Sequence, residues 1–496
     1  MNSPRSGLVG WLIALSIALL PSCAGDPPLP PLKAGQPPPP LTWNGPSDTS
    51  SVILIVNDTM RRDRVGIHGG TASTPHFDAF ARGNILFEKT ASQAPWTKPS
   101  IATLFTSLYP SQHGVVKQPR DMEKGDGPAV LSDLVTEVLS HDFVTLAETL
   151  SSSGFQTAAL VGNPWMAKPF GFSQGFSRYD DSFASWAVPG EVISQAALEW
   201  LGEIQTEDRF FLYLHYMDSH RPYPPLDTAE IRRQADRLRS DTRPLPQGMR
   251  KNLPRPLQQV LASMGIEPSL GLVDMNYDSG VEAFDQALGQ LLQGFSSHPA
   301  FEHTAIVVTS DHGEALYARG YGNHGRGLYE DEVSIPLAMR LPGVSTKDFR
   351  DNRLVGLIDL MPTLLDYLGI EIPGMAQGQS LFQPTSSERC LVTEGVANKP
   401  THRAIRLQDY KLLWQPEGGP GGRTKALFHL ERDGDETRNL LTGKQQTQAQ
   451  AIFADLQNRG ATEVIPFSVT PGATVPLDPD IAEQLRAIGY LEDRQR

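Results

Sequence analysis

Short apolar runs alternate with helical patterns along most of the chain. Runs of the kind found in buried strands are SVILIV, QTAALVG, RFFLYLHYM, TAIVVTS and IPLAMRLP. Between them lie segments with apolar residues at helical spacing, such as FVTLAETLSSSG and VEAFDQALGQLLQGF. Strands that alternate with helices build a mainly parallel sheet flanked by helices, so we predict an α/β domain over residues 51–384.

The pattern changes near residue 385. The segments RAIRLQDYKLLWQ and KALFHLERDGDETRNLL, joined through a turn containing EGGPGG, are typical of hairpins in an antiparallel sheet. We therefore predict a smaller C-terminal α+β subdomain over residues 385–496. A chain of 496 residues is long enough for two or three such units.

The N-terminus carries signals for export. Residues 1–23 contain the apolar run GLVGWLIALSIALL, which is too short for a stable membrane span and suits a signal peptide. The following LPSC resembles a bacterial lipoprotein cleavage box, so we expect Cys23 to be lipid-anchored in the cell envelope. A disulfide between Cys23 and Cys390 is the rival use, and we expect Cys390 to remain a thiol instead. Residues 24–50 are rich in proline, and we predict an extended linker that packs no core.

Composition and charge restrict the partners. The chain is 39% hydrophobic and 20% charged, as expected of a globular protein, and its formal net charge is -13. An acidic chain is unsuited to nucleic acid, because phosphate backbones are bound by clustered cations. An anionic substrate would need a locally positive pocket. The arginine-rich insertion between Asp227 and about Leu270 is interpreted either as a lid that supplies this potential or as a solvated helical surface.

Polar residues follow the predicted strands at their carboxyl ends. Asp58 follows the first run, Asn163 the second, Asp218 and His220 the third, and Asp311 and His312 the fourth. Ligands of open α/β sheets bind at this edge, so we predict a site assembled from distant segments. Ordinary loop polarity is the alternative.

The residue types favour a metal site with a nucleophile. Carboxylates and an imidazole at Asp58, Asp311 and His312 suit a divalent ion, with zinc or manganese favoured over calcium by the histidine. Thr97, in APWTKPSI, opens a helical pattern. As a helix cap it would be structural, whereas beside a metal its hydroxyl would be an activated nucleophile and further metal ligand.

Several blocks of the sequence resemble the sulfatase family of the alkaline phosphatase superfamily. They are SVILIVNDTMRRDRVGIHGG, TPHFDAFARGNILFEKTASQAPWTKPSIATLFTSLYPSQHGV, LHYMDSHRPYPP, VVTSDHGEAL, NHGRGLYEDEVSIPL and VGLIDLMPTLLDYLGI, in order between about residues 51 and 445. The resemblance implies an alkaline-phosphatase-like sheet with a smaller C-terminal antiparallel-sheet domain. It also implies hydrolysis of sulfate or phosphate esters, with Ca2+ or Mg2+ by analogy with sulfatases.

The resemblance also implies roles for single residues. Asp58, Thr97, Asp311 and His312 match the metal and nucleophile positions. His220 matches a histidine near the leaving-group oxygen, Arg326 a basic residue that contacts the bound anion, and Asn163 a position where sulfatases often carry lysine.

Other residues in these blocks have weaker assignments. His113 and His324 are either site residues or loop hydrogen-bonding partners. Arg61 is expected to support the nucleophile or the loop that holds Asp58, rather than to contact the substrate. Whether Asp218 joins His220 in a second metal site is left open.

The chain also departs from the family pattern. Familiar sulfatases convert a cysteine or serine, in a Cys/Ser-x-Pro-x-Arg signature, to formylglycine, whereas here Thr97 and Ile101 occupy the first and last positions. Threonine carries a methyl group on its β-carbon and cannot yield that aldehyde. Thr59 stands where many sulfatases have a second metal aspartate. The set is similar to that of phosphodiesterases and phosphoethanolamine transferases with a threonine nucleophile.

We therefore expect a metal-dependent ester hydrolase with Thr97 as nucleophile. Its substrate would be a small-molecule, glycan or lipid sulfate or phosphate ester. A phosphodiesterase or a phosphoethanolamine-type transferase is the alternative enzyme. An inactive surface lipoprotein that binds anions is the alternative of another class.

Overall fold

The structure is a computed structural model. It describes residues 29–30, 39–43, 51–117, 120–121, 134–184, 188–205, 207–223, 228–345, 350–384, 386, 389–396, 399–414, 425–442, 446–463 and 473–487. The predicted signal peptide and Cys23 lie outside these residues. None of the described helices has both the length and the apolar character needed to cross a bilayer.

The strands and helices are numbered in chain order. The strands are β1 Ser51–Asn57, β2 Ile85–Ala91, β3 Arg120–Asp121, β4 Leu134–Val138, β5 Gln156–Val161, β6 Arg178–Asp180, β7 Phe210–Tyr216, β8 Thr304–Thr309, β9 Leu337–Arg340, β10 Arg350–Gly356, β11 Leu391–Val396, β12 Lys399–Leu407, β13 Tyr410–Trp414, β14 Lys425–His429 and β15 Ala473–Pro476. The helices are α1 Pro75–Arg82, α2 Thr97–Thr106, α3 Pro110–His113, α4 Leu146–Ser152, α5 Gly190–Glu203, α6 Thr228–Arg233, α7 Ala235–Ser240, α8 Gln247–Lys251, α9 Arg255–Ser263, α10 Gly271–Phe295, α11 Glu330–Val333, α12 Leu360–Tyr367, α13 Gln446–Glu463 and α14 Pro479–Ala487.

An eight-stranded sheet forms the centre of the larger domain. Its strand order is β10-β2-β9-β8-β1-β7-β5-β6. The central pairs β8 with β1, β1 with β7 and β7 with β5 are parallel, whereas β9 runs antiparallel to both of its neighbours. The prediction of a mainly parallel sheet flanked by helices is confirmed.

The two faces of this sheet bury separate apolar clusters, because side chains alternate along each strand. One cluster combines Val52, Leu54 and Val56 of β1 with residues of α2 and α12. The other combines Ile53 and Ile55 with residues of α1, α5 and α10. Apolar side chains cover both faces of β1, which explains why the strand is a continuous apolar run in the sequence.

A smaller antiparallel sheet follows in the chain. Its order is β11-β12-β13-β14, and α13 supplies Ile452, Phe453 and Leu456 to the apolar cluster beneath it. This confirms the predicted C-terminal antiparallel sheet. Farther along, β15 pairs with β4, and Leu485 of α14 packs in the cluster of the larger domain. The last described segment therefore returns to the larger domain.

The proline-rich segment differs from its prediction. Leu29 is 3% exposed and packs beneath the smaller sheet, and its backbone N–H donates to Gln448 Oε1 at 3.1 Å. The Trp43 ring packs at a tilt against the rings of Tyr367 and Phe382, with a centroid separation of 5.3 Å in both pairs. The expectation that this segment packs no core is wrong for its described residues, because its isolated apolar side chains find pockets on the folded domains.

The arginine-rich insertion folds into α6 to α9, and residues of α6, α7 and α9 form a small apolar cluster with the start of α10. Five of its seven arginines pair with carboxylates of the insertion or of α10. These pairs involve Arg233, Arg237, Arg239, Arg243 and Arg250. This pairing favours the solvated surface over a lid that supplies positive potential.

Candidate active site

Neighbouring strands of the large sheet bring four polar side chains to one place. In the order β5-β7-β1-β8, these strands carry Asn163, His215, Asp58 and Asp311 at or just beyond their carboxyl ends. Each of these residues is an even number of positions from strand residues that belong to the apolar cluster on the α2 side of the sheet. Because side chains alternate along a strand, all four lie on the side of the sheet where α2 packs. These side chains therefore converge at the edge of the sheet where the sequence predicts a site.

Thr97 is the first residue of α2, and its side chain belongs to the site. Trp96 occupies the N-cap position without a side-chain cap, so the interpretation of Thr97 as a cap is wrong. The Thr97 Oγ1 lies 3.4 Å from Asp58 Oδ2, 3.4 Å from His312 Nε2 and 3.3 Å from Asn163 Nδ2. A hydroxyl at the N-terminus of a helix also experiences the positive end of the helix dipole, which favours an oxyanion there.

The two site carboxylates each keep one oxygen without a hydrogen-bond partner in the described structure. Asp58 Oδ2 accepts from Asn163 Nδ2 at 2.5 Å, while Oδ1 has no partner. Asp311 Oδ1 accepts from the backbone N–H groups of Thr59 at 3.2 Å and His312 at 2.8 Å, while Oδ2 has none. Burial, and next the charge of Asp311, raise the pKa of Asp58 well above its usual value. Two buried carboxylates without a cation are unfavourable, so this pair needs a positive partner.

His312 is oriented as a metal-binding histidine. Its Nδ1 donates to the Gly313 carbonyl at 2.9 Å, which leaves Nε2 with the lone pair. Nε2 lies 3.4 Å from Asp311 Oδ2 and 3.6 Å from Asp58 Oδ1. Together with the unpartnered carboxylate oxygens, this arrangement fits a divalent ion bound by Asp58, Asp311 and His312, with Thr97 as a fourth ligand.

His215 is a site residue that the sequence analysis missed. It lies inside β7 and is fully buried, and its Nε2 is 3.9 Å from both Asp58 Oδ2 and Asp311 Oδ2. With these two aspartates it forms a buried group of suitable geometry for a metal ion. The sequence did carry a signal for His215. It stands two and four positions after Tyr213 and Phe211, so it is a polar residue on the same face of an otherwise apolar strand.

Two further histidines and a glutamate extend the site beyond His312. The His324 ring lies 4.4 Å from that of His312 and 5.1 Å from that of His220, measured between centroids. His324 Nδ1 is 3.3 Å from Glu314 Oε2, and His220 Nδ1 donates to the Arg221 carbonyl at 2.5 Å. Burial, and next the charge of His324, lower the pKa of His220 to about 3, so its ring is neutral. Of the two weaker candidates, His324 therefore joins the site.

Cationic side chains stand at the edge of this cluster. Arg326 is exposed, and its charge is close enough to contribute to the lowered pKa of His324, although burial is the larger cause. Arg221 contributes in the same direction and donates to Asn323 Oδ1. Arg221 was also missed from the sequence, although it directly follows His220. These two arginines make the edge of the cluster locally positive.

His113 is a structural residue. Its Nδ1 accepts from the Val115 N–H at 3.1 Å, and its Nε2 lies 3.2 Å from Thr103 Oγ1 of α2. These contacts agree with the alternative that His113 hydrogen-bonds locally.

Arg61 and Asp218 also support the surrounding structure. Arg61 binds Asp63 through Nε at 2.9 Å and the Glu314 carbonyl through Nη1 at 2.9 Å, which braces the loop after Asp58 as expected. Asp218 Oδ1 accepts from the Gly190 N–H at the start of α5, at 2.9 Å. This contact uses one Asp218 oxygen to position α5, while Oδ2 has no hydrogen-bond partner in the described structure.

Ile101 stands where the Cys/Ser-x-Pro-x-Arg signature of sulfatases has its arginine. Ile101 is fully buried in the cluster between α2 and the sheet. The nearby Lys98 is also buried, with Nζ 2.7 Å from Thr136 Oγ1 and 4.5 Å from the centre of the Phe170 ring. Burial lowers the pKa of Lys98 to about 7. Lys98 thus ties α2 to β4, which helps to fix the position of Thr97.

Comparison with known proteins gives a consistent result. A sulfatase family model matches residues 50–370, and a model of the C-terminal region of N-sulphoglucosamine sulphohydrolase matches residues 321–461. An endo-4-O-sulfatase of Bacteroides thetaiotaomicron is 24% identical over 371 residues, covering 65% of this chain and 68% of the relative.

Solved structures show the same fold. A protein described in complex with its substrate D-glucosamine-2-N,6-O-disulfate has a TM-score of 0.63 at 18% identity, covering 85% of this chain and 99% of that one. A phosphonate monoester hydrolase of Agrobacterium radiobacter has a TM-score of 0.62 at 19% identity, covering 86% and 100%. With the family model spanning most of the chain, this protein belongs to the sulfatase family of the alkaline phosphatase superfamily and is a sulfatase-like ester hydrolase.

Proposed function

We propose that this protein hydrolyses phosphate or sulfate esters with unmodified Thr97 as the nucleophile, and that phosphate monoesters or diesters are its preferred substrates. The observation that carries this proposal is the position of the Thr97 hydroxyl. It stands at the N-terminus of α2, 3.4 Å from both Asp58 and His312. A hydroxyl so placed is suited to become an alkoxide and attack an electrophilic centre.

The metal set is part of the proposal. A divalent ion held by Asp58, Thr97, Asp311 and His312 would act as a Lewis acid, lowering the pKa of the hydroxyl and balancing charge on the substrate oxygens. Because His312 offers a nitrogen ligand, Zn2+ or Mn2+ fits better than the Ca2+ or Mg2+ expected by analogy with sulfatases.

The side chains themselves account for both halves of the reaction. In the first half, Thr97 Oγ1 bonds to phosphorus while the bond from phosphorus to the alcohol oxygen breaks. Asp58 Oδ2 is placed to take the hydroxyl proton. The leaving oxygen takes up a proton from solvent, because the His220 ring is neutral and its one proton, on Nδ1, is donated to the Arg221 carbonyl. His220 Nε2 can accept a hydrogen bond from the resulting alcohol.

In the second half, water attacks phosphorus and the bond to Oγ1 breaks. Oγ1 regains the proton held by Asp58, which restores the Thr97 hydroxyl, and the phosphate product leaves with the oxygen of the water. Asn163 Nδ2, 3.3 Å from Thr97 Oγ1, can donate to a nonbridging oxygen.

The preference for phosphate follows from the nucleophile. Formylglycine can release sulfate by elimination because its hydrated form has a second hydroxyl, which threonine lacks. A sulfothreonine would need attack at sulfur, whereas a phosphothreonine is opened by in-line attack of water at phosphorus. The structural neighbour named as a phosphonate monoester hydrolase supports the proposal, because it shows that this fold also serves phosphorus chemistry.

The test is turnover of an aryl sulfate, a phosphate monoester and a phosphodiester by the metal-loaded protein. We expect phosphate-ester turnover that falls by at least about 1,000-fold in Thr97→Ala and is largely retained in Thr97→Ser. Thr106→Ala is the matched control, because that hydroxyl lies in the same helix and donates to the Ala102 carbonyl at 2.6 Å.

The other outcomes have definite meanings. Sulfate turnover alone would overturn the preference for phosphate. Product that carries an added acceptor alcohol would indicate a transferase. Anion binding by the metal-loaded protein without turnover of any ester would favour the binding lipoprotein.

We further propose that the protein is exported and lipid-anchored through Cys23. The apolar run and the LPSC segment support this proposal. Cys23→Ser is expected to move the mature protein from the membrane fraction to the soluble fraction after cell lysis. Retention of the variant in the membrane fraction would contradict the anchor.

A further inference from the structure

We infer that His215 is an additional protein ligand of the divalent ion, taking the place of the metal aspartate that Thr59 does not supply. This inference rests on the proposed function, because it concerns the same metal site. It adds a donor from the interior of β7, a position that the family-based ligand set does not include. The site would then hold two carboxylates, two imidazoles and the Thr97 hydroxyl.

The first observation is that the His215 ring is buried without a hydrogen-bond partner. The residue is fully buried, and neither Nδ1 nor Nε2 has a partner among the described residues. A buried polar group left unsatisfied typically costs about 1–3 kcal/mol, so native proteins seldom leave both nitrogens of an imidazole in this state. A bound cation would satisfy one of them.

The second observation is the distance of this ring from the site carboxylates. His215 Nε2 lies 3.9 Å from both Asp58 Oδ2 and Asp311 Oδ2, which is too far for a hydrogen bond. Ligand atoms that share one ion at about 2.0–2.2 Å stand roughly 3–4 Å apart. His312 Nε2 lies at similar distances of 3.4 and 3.6 Å from these carboxylates. Both histidines therefore have a separation suited to a shared ion.

The third observation is that Thr59 is turned away from the site. Its Oγ1 donates to the Ser219 carbonyl at 2.8 Å, and its φ of 61° places the backbone in the left-handed region. Its backbone N–H is directed towards the site and donates to Asp311 Oδ1 at 3.2 Å. The Thr59 hydroxyl is thus directed away from Asp58 and Asp311. His215, whose strand pairs directly with β1, instead places Nε2 3.9 Å from Asp58 Oδ2.

The donor set has a consequence for the choice of metal. Two carboxylates balance the charge of a divalent ion, and two imidazoles replace the oxygen ligands that calcium prefers. We therefore expect Zn2+ or Mn2+ to bind much more tightly than Ca2+.

The test measures metal binding rather than turnover. Zn2+ would be titrated by calorimetry into the metal-free full chain, His215→Leu and His68→Leu. His68 is a matched control, since it is also a buried histidine but pairs with Glu88 at 3.2 Å in another part of the domain. We expect His215→Leu to weaken Zn2+ affinity by more than about 100-fold, because even outer partners of metal ligands are worth roughly 10–100-fold. We expect His68→Leu to retain wild-type affinity.

A thermal readout separates ligation from a purely structural role. Removing an unpartnered buried imidazole should not lower the melting temperature of the metal-free protein, but it should reduce the rise in melting temperature that Zn2+ causes. His215→Gln, a second variant, should change the visible absorption of bound Co2+ because an oxygen or nitrogen of an amide replaces the imidazole nitrogen.

Two results would overturn the inference. One is Zn2+ affinity in His215→Leu or His215→Gln within about threefold of wild type, with an unchanged Co2+ spectrum. The other is failure of the wild-type protein to bind Zn2+, Mn2+ or Co2+. If the wild type binds metal through His215 but hydrolyses no ester, the proposed function fails and the assignment of His215 remains supported.

Discussion

The site at the strand ends and the arginine-rich insertion are both dense in charged and polar side chains, but they use them in opposite ways. Asp58, Asp311 and His215 are fully buried and keep oxygen or nitrogen atoms without hydrogen-bond partners in the described structure. In the insertion, Arg239 and Asp236 form a 2.8 Å ion pair, with side chains 46% and 100% exposed. Five arginines of the insertion have a carboxylate partner, whereas Asp58 and Asp311 of the site each keep one carboxylate oxygen without a hydrogen-bond partner.

The difference shows that a functional site is distinguished from a charged surface less by its residue types than by buried polar atoms that lack hydrogen-bond or ion-pair partners. A solvated ion pair gains little, because water already stabilises both charges. Buried atoms without partners are costly, and they persist where a ligand compensates them. This contrast predicts that similar substitutions will have very different consequences in the two regions.

The largest contrast is expected for one substitution made in both regions. Asp58→Asn should reduce ester turnover by at least about 1,000-fold, because it removes a buried charge from the proposed metal site. The metal-free variant should remain as stable as wild type, since burial already raises the pKa of Asp58 and asparagine resembles its protonated form. Steady-state turnover and thermal unfolding would measure the two effects.

Asp236→Asn is the control for this substitution, because Asp236 is fully exposed in the insertion. It should leave turnover and stability unchanged. Equal loss of activity in both variants would contradict the contrast between the regions.

The next largest effect concerns Glu332, which anchors the loop carrying Arg326. Its Oε2 accepts from the Arg326 N–H at 2.9 Å and its Oε1 contacts the Tyr321 hydroxyl at 2.7 Å. Burial, and next the charge of Asp331, raise the pKa of Glu332 to about 8 from 4.5. The folded protein thus binds this proton more tightly than the unfolded chain does. The associated stability is fully present below about pH 4.5 and is lost as pH rises through about 8.

Glu332→Gln should remove this pH dependence, because glutamine resembles the protonated carboxyl group. We expect the variant to be more stable than wild type above pH 8, by at most about 5 kcal/mol. Urea unfolding at pH 5, 7 and 9 would measure the difference. Parallel pH profiles for the two proteins would show that Glu332 does not retain a raised pKa.

The smallest effect is expected in the insertion. Arg237 Nη2 lies 3.3 Å from Asp278 Oδ2 and its side chain is 34% exposed. Arg237→Ala should cost less than about 1 kcal/mol of unfolding free energy and leave kcat and KM within about twofold of wild type. Chemical unfolding and steady-state kinetics would test this. A rise in KM of more than tenfold would instead support a lid whose arginine reaches the substrate.

Much of the fold and site could be predicted from local pattern. The apolar runs located β1, β5, β7 and β8, and the polar residues after them located Asp58, Asn163 and Asp311. Parallel strands end at the same edge of a sheet, so these residues had to converge. His215 was missed because it lies within an apolar run, where only the register of the sheet shows which side of the strand faces α2.

Other features depended on contacts between distant segments. Nothing local in the sequence distinguishes Arg237, which pairs with α10, from Arg221, which stands beside the site. Likewise, the packing of Leu29 against the smaller sheet requires a pocket built by residues far along the chain.

The sequence by itself determined the α/β architecture, the edge of the sheet where the site lies, and the threonine that excludes formylglycine. These follow from side-chain periodicity and from the chemistry of single residues, which are local properties. Only the tertiary structure decided which polar atoms have partners. It placed Thr97 against Asp58 and His312, turned Thr59 towards Ser219, and left the His215 ring buried without a hydrogen bond. Such partnering depends on the relative positions of β1, β7, β8 and α2, and those positions are fixed by packing across the whole domain.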